Sequence, residues 1–350
     1  VNLLQFQEYP VPQNIVNLSL GNDSNINYTS LSTQQQLEII QNQSSYSNTI
    51  NISSDKFICY HLTHDYSKII LYTPDNCING KTLIINLPQK SLHKHNSIAT
   101  LIVEQILLFH IIIEDGGLLT VKLPLNYILD NSDSVRLGED WAKIQNPYDF
   151  TIRVPHMLYP VSEDLMMVFL EDGGLLGLRR ASEEYDFEPL LFNDNSYLQS
   201  FTKLFYKNEN TAGKVISAVT FNNKFLIVLT DNYYLKIWDL NTFNMINEYN
   251  LSANMIDEDL HSKDVHQYND AGNFLSLFQN NLVIYSPQKN GVFQIGYLSV
   301  NQADLLQFDL KNIVGSSLSS SSVWFLADMK LMKPIDLNYT SSYLNLAVLW

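Results

Sequence analysis

The sequence predicts an all-β chain folded as a β-propeller, with short helical insertions. Three observations carry that prediction. Apolar strands come in pairs around tight polar turns, the turns recur at a nearly constant interval, and several strands are apolar on both faces. Strands of the last kind need a sheet stacked on each side, which a ring of stacked four-stranded sheets supplies.

The strand pairs begin at Lys56. KFICYHLTHDYSKIILYTP turns at His64-Asp65, and ATLIVEQILLFHIIIEDGGLLTVKLP turns at Asp115-Gly116-Gly117. LMMVFLEDGGLLGLRRA turns at Asp172-Gly173-Gly174, KFLIVLTDNYYLKIWDL at Asp231-Asn232, and NFLSLFQNNLVIYSP at Asn280-Asn281. Asp-Gly and Asn-rich dipeptides supply the positive φ of a twisted two-residue hairpin turn, so a hairpin is expected at each. Asp65, Asp115, Asp172, Asp231 and Asn280 are spaced by 50, 57, 59 and 49 residues. A repeat of that length built around a central hairpin reads as propeller blades rather than as a sandwich. Weaker strands fill out four-stranded blades: KTLIINLP, FQIGYLSV and the apolar part of TAGKVISAVTF.

Residues 1–20 read as the first strand of the propeller, and the blades occupy residues 55–350. Between them, residues 21–54 are rich in Asn, Ser and Gln. They read as a loop or disordered insert with one helical turn near residues 36–40. Residues 125–144 are expected to form a helix-loop segment lined by Tyr127, Ile128, Val135, Leu137, Trp141 and Ile144. In residues 193–205, Leu198, Phe201, Leu204 and Phe205 recur at helical spacing behind the cap candidates Asn193 and Asp194. Residues 315–322 are Ser-rich and read as a loop. The closing phrase YLNLAVLW reads as the first strand of a sixth hairpin, so the propeller is expected to be incomplete at this end.

Composition narrows the function. Of 350 residues, 45% are hydrophobic and 16% charged, enough apolar material for a large core. Lys and Arg number 21 against 36 Asp and Glu, a net charge of -15. A field of that sign repels phosphate backbones and anionic lipid, and no basic patch offsets it, so direct nucleic-acid binding is not expected. No apolar run reaches membrane-spanning length, and the N-terminal VNLLQFQEYP lacks the pattern of a secretory signal. Two cysteines, Cys59 and Cys77, argue against a disulfide scaffold and suit a reducing compartment. Seven Asn-x-Ser/Thr sites are no excess in a chain this rich in those residues.

No motif here reads as catalytic, cofactor-binding or metal-binding. Glu114-Asp115 and Glu171-Asp172 recur in identical EDGG phrases, a pattern that a glycosidase's paired acids would also give. Catalytic carboxylates must face each other across a substrate, whereas these sit beside turn glycines, so turn chemistry is the better reading. His61/His64 and His93/His95 have short spacings, yet no third or fourth ligand is near in sequence. Trp238-Asp239 resembles the end of a WD-repeat strand. GGLLGLRR is neither a phosphate loop nor a dinucleotide fingerprint. There is no Phe-Gly dipeptide, so the chain carries no Phe-Gly repeats.

Longer phrases carry a family resemblance. QNPYDFTIRVPH, VFLEDGGLLGLRR, EPLLFNDNSYLQSFTKLF and LIVLTDNYYLKIWDL resemble the nucleoporin-120/160 family, YLNLAVLW resembles the stretch that enters the family's next blade, and NLLQFQEYP, FICYHL and KTLIINLP fit its fungal branch. The likeness is weakest across residues 21–54 and 250–270. It implies a seven-bladed propeller with a helical insertion, followed in the family by an α-helical domain. It further implies a structural role in the Y-shaped coat of the nuclear pore at the nuclear envelope. The partners would be other coat subunits, with indirect support of protein import and messenger RNA export and no enzymatic activity. Some family members carry a lipid-packing-sensor segment matching residues 125–145. Here its polar face would hold Asp130, Asp133, Arg136, Glu139, Asp140 and Lys143, a departure that makes membrane contact doubtful. A WD-like adaptor of a vesicle coat is the alternative that shares the architecture, and a propeller hydrolase the enzymatic one.

Overall fold

The computed structural model describes residues 14–20, 44–52, 57–73, 81–92, 97–129, 137–150, 153–191, 213–251, 274–286, 292–300, 306–315, 328–332 and 345–349. Among these, strands gather into sheets that follow one another along the chain, and each full sheet after the first is a four-stranded antiparallel set in chain order.

The first sheet holds β1 (Asn14–Ser19), β2 (Ser44–Asn51), β3 (Phe57–Thr63), β4 (Lys68–Tyr72) and β5 (Lys81–Asn86) in the order β1-β5-β4-β3-β2. The second holds β6 (Ile98–Val103), β7 (Ile106–Ile112), β8 (Leu118–Pro124) and β9 (Ala142–Gln145), with the short helix α1 (Leu125–Leu129) after β8. The third comprises β10 (Pro155–Ser162), β11 (Leu165–Leu170), β12 (Leu175–Arg180) and β13 (Phe187–Leu191). The fourth comprises β14 (Val215–Phe221), β15 (Phe225–Thr230), β16 (Tyr234–Asp239) and β17 (Asn244–Asn250). The fifth comprises β18 (Leu275–Phe278), β19 (Asn281–Ser286), β20 (Val292–Val300) and β21 (Leu306–Gly315), and β22 (Asp328–Met332) pairs with β23 (Asn345–Leu349). Contacts divide the chain into two compact units, residues 1–168 with 177–190 and residues 169–176 with 191–350.

Burial explains the strand sequences. All six side chains of β15 are buried, as are six of seven in β7, because both faces of these middle strands are covered. In the first unit, Leu107, Phe109, Ile111 and Ile113 join Ile58, Tyr60, Leu62, Ile69 and Leu71 in one apolar cluster between the first two sheets. The intervening His110 points the other way and packs edge-on to Phe187, ring centroids 5.3 Å apart. In the second unit a like cluster gathers Ile227, Leu229, Leu235 and Ile237 with Phe274, Leu282 and Ile284. Successive first strands lie side by side, β6 with β10 in one unit, and β14 with β18 and β18 with β22 in the other. That neighbourhood of innermost strands is the arrangement of propeller blades.

Several expectations change. The turns before β4, β8, β12 and β16 are not two-residue loops. In each, a backbone hydrogen bond closes four residues, as from Gly116 N–H to the Ile113 carbonyl at 2.9 Å. The fourth residue takes the left-handed conformation: Tyr66 (φ 58°), Gly116 (φ 84°), Gly173 (φ 80°) and Tyr233 (φ 61°). This is a type I turn followed by a left-handed bulge residue, so the Asp does not carry the positive φ. The Asn280 turn belongs to a different place, between the first and second strands of its sheet rather than the second and third. Its counterparts are the turns at Glu104 and at Asn222-Asn223, which also have positive φ. The last spacing of 49 residues therefore joins two kinds of turn. YLNLAVLW supplies β23, the second strand of its pair, because β22 precedes it and packs beside β18.

Residues 44–51, read as part of an insert, form β2 and pair antiparallel with β3. Their polar sequence SSYSNTIN hid a strand, whose Ile50 joins the first unit's apolar cluster. The stretch 125–144 is helical only over Leu125–Leu129. Ala142–Gln145 is instead the outer strand β9, held by pairing to β8. Leu125, Tyr127 and Ile128 are buried in the first apolar cluster, and Asp140 and Lys143 pair with Lys122 and Asp186. The helical turn near residues 36–40, the segment 193–205 and most of the Ser-rich stretch lie outside the described residues.

Candidate interaction site

Several of the chemistry-bearing residues singled out in the sequence lie in hairpin turns. Asp115 Oδ1 accepts the Gly117 N–H at 2.8 Å, and Asp172 Oδ1 accepts the Gly174 N–H at 2.9 Å. Each EDGG phrase thus closes its own hairpin, and Glu171 is engaged by the Lys214 ammonium at 3.1 Å. A Cβ on Gly116 would meet the Phe150 Cβ at 3.1 Å, so that turn is packed as well as bent. Asp65 does the same work in the first sheet. Its carboxylate accepts from the Ser67 and Thr63 hydroxyls, which hold its pKa down to about 2.

His61 and His64 do not converge. His61 lies on β3, stacked on Tyr72 of β4 and hydrogen-bonded to its hydroxyl through Nε2 at 2.9 Å, while His64 is exposed in the turn. Burial lowers the His61 pKa, and burial with the Cys59 thiol nearby raises Tyr72 to about 12. The Cys59–His61–Tyr72 grouping was not read from sequence. The signal was available: a hairpin about His64-Asp65 sets Tyr72 opposite Cys59 in register. Cys77 and His93 to His95 lie outside the described residues. Among the described residues no group of three or more His, Cys, Asp or Glu side chains is placed to hold a metal ion.

What the described side chains do is fasten sheets. Gln145 at the end of β9 uses its amide as a strand would: Nε2 donates to the Tyr185 carbonyl at 2.8 Å, and Oε1 accepts the Phe187 N–H at 2.9 Å. Arg180 stacks its guanidinium on the Tyr185 ring, 4.3 Å from the centroid, and pairs with Glu163. In the second unit, Ser217 of β14 accepts the Leu275 N–H of β18 at 3.2 Å, and Ser276 of β18 accepts the Leu331 N–H of β22 at 2.7 Å. Among the described residues, the large apolar side chains left exposed are Ile144 and Val154 in the first unit and Met245 and Tyr297 in the second. The described polar contacts lie at turns and between neighbouring strands within each unit.

The profile of the family described as "Nucleoporin Nup120/160, beta-propeller domain" matches residues 56–350. The chain is 40% identical over 352 residues to the protein named nucleoporin NUP120 of Saccharomyces cerevisiae, covering 100% of this chain and 33% of that protein. It therefore spans about a third of that relative's length. Among solved structures, the propeller domain of Cps50 (Swd1) from Myceliophteria thermophila gives a TM-score of 0.43 at 11% identity, covering 76% of this chain and 73% of that one. BamB of Moraxella catarrhalis gives 0.35 at 10% identity, covering 80% and 77%. The family match over most of the chain and the full-length likeness settle the assignment: the chain belongs to the nucleoporin Nup120/160 family, through its β-propeller domain.

Proposed function

We propose that this chain is the propeller part of a scaffold subunit in the outer-ring coat of the nuclear pore, located at the nuclear envelope. Its partners are other subunits of the Y-shaped coat, and its contribution to protein import and messenger RNA export is indirect, through assembly of the pore. The observation that carries this reading is the 40% identity to a nucleoporin along the whole chain. The fold supports it: Asp115 and Asp172 accept the N–H groups of their own turns, and the Ser276 hydroxyl joins the first strands of neighbouring sheets. A net charge of -15 favours protein neighbours over nucleic acid. Affinity purification of the full-length protein from its own cells tests the proposal. Co-purification with coat nucleoporins is expected. Recovery with vesicle-coat subunits, or with no nuclear pore protein, overturns it.

A further inference from the structure

The outer strand of the first sheet differs from its counterparts. β9 and β17, the fourth strands of their sheets, have no buried side chain, and β13 is exposed at Glu188 and Pro189. β5 is buried at Thr82, Leu83, Ile84 and Ile85. Four consecutive buried residues give it the composition of an interior strand; β1 lies on its free edge, and α1 also packs against it. β1 runs parallel to β5 in an unbroken register from Asn14 opposite Lys81 to Ser19 opposite Asn86. Asn86 Nδ2 donates to the Leu18 carbonyl and the Ser19 hydroxyl, each at 3.1 Å. Val16 and Leu18, two residues apart, insert into the apolar cluster of the first two sheets.

A strand added to an existing edge by main-chain hydrogen bonds and alternate apolar side chains is the physics of β-strand recognition. Here the added strand is separated from β2 by residues 20–43, so the hairpin turns that fix the other strands do not fix it. Parallel pairing is also the weaker kind per residue. Without β1, the edge would present unpaired backbone groups beside an apolar strand, a surface that attracts another strand.

We propose that the β5 edge is a strand-accepting site, with residues 14–19 as its resident and exchangeable ligand. It recognises an extended segment in parallel register with aliphatic side chains at alternate positions, held at its end by Asn86. At rest the site is filled in cis. When β1 is lifted off, the edge takes the same segment supplied in trans.

The test uses the 350-residue chain and a fluorescent peptide spanning residues 12–21. Because the tethered strand competes from within the chain, unaltered protein binds the peptide weakly. A chain carrying Val16→Asp and Leu18→Asp frees the edge, and its affinity for the peptide rises by roughly tenfold or more. A peptide with the same two substitutions does not bind it. A folded variant that binds no better than the unaltered chain overturns the proposal. If the variant does not fold, hydrogen exchange on the unaltered chain decides. Amides of residues 14–19 exchanging together, ahead of β3 and β4, support exchange of the strand, and protection equal to that of β3 and β4 overturns it.

Discussion

Ser276 fastens one innermost strand to the next: its hydroxyl, buried on β18, accepts the Leu331 N–H of β22 at 2.7 Å. Ser217 and Leu275 repeat the relation one sheet earlier at 3.2 Å. First strands of neighbouring sheets do not share a ladder, so their inward backbone N–H groups need a partner of another kind, and a small hydroxyl on the adjacent strand reaches them. Ser276→Ala would leave the Leu331 N–H buried and unbonded, at a cost of about 1–3 kcal/mol. Urea unfolding should show that loss, with Ser276→Thr falling between the two. No change would mean that the hydroxyl is dispensable.

The left-handed turn position makes a second prediction. Tyr233 holds at φ 61° the place that Gly173 fills at φ 80°. The Tyr233 ring is buried in the second unit's apolar cluster, and that burial offsets the backbone cost. Tyr233→Gly relieves about 1 kcal/mol of strain and loses roughly 3 kcal/mol of packing, a net destabilisation. Gly173→Ala should cost about 1–2 kcal/mol through the backbone alone. Denaturant midpoints of both variants check the signs.

Trp238 is 5% exposed on β16, opposite Leu226 and Met245, and its indole Nε1 has no hydrogen-bond partner among the described residues. Trp238→Ala should cost roughly 3–5 kcal/mol through the cavity it leaves. Trp238→Phe forfeits no hydrogen bond and should cost clearly less. Thermal melts of the two variants separate packing from polarity. An Ala variant that melts with the parent would place the indole in solvent.

His110 sets a pH dependence. It is buried against Phe187 with Nδ1 hydrogen-bonded to the Thr120 hydroxyl at 3.1 Å, and burial lowers its pKa to about 4. The unfolded chain takes up a proton near the ordinary histidine value of about 6.5, where the folded chain does not. Stability is therefore full above that value and falls as the pH drops towards 4, by about 3 kcal/mol from this residue. His110→Gln should flatten the curve across that window in unfolding experiments at stepped pH. An unaltered slope would assign the acid sensitivity elsewhere.

The middle strands were legible because burial on both faces writes continuous apolar runs, as in FLIVLT of β15. Outer strands were not, because a half-exposed strand can be as polar as NMINEYN of β17 or AKIQ of β9. Turn chemistry marked where hairpins lie but not which strands they join. Asn-rich dipeptides occur at both kinds of turn, so Asn280 was placed out of phase. The acid pairs were legible as turn residues from their glycines. The fastening contacts were not: Gln145 meets Tyr185 and Phe187, and Ser276 meets Leu331, across stretches that only stacking brings together.

Location in the cell tests the scaffold reading most directly. The full-length protein, fluorescently tagged at its own locus, should mark the nuclear envelope as a punctate rim that coincides with other nucleoporins. Golgi or endosomal puncta, with the rim unlabelled, would contradict it.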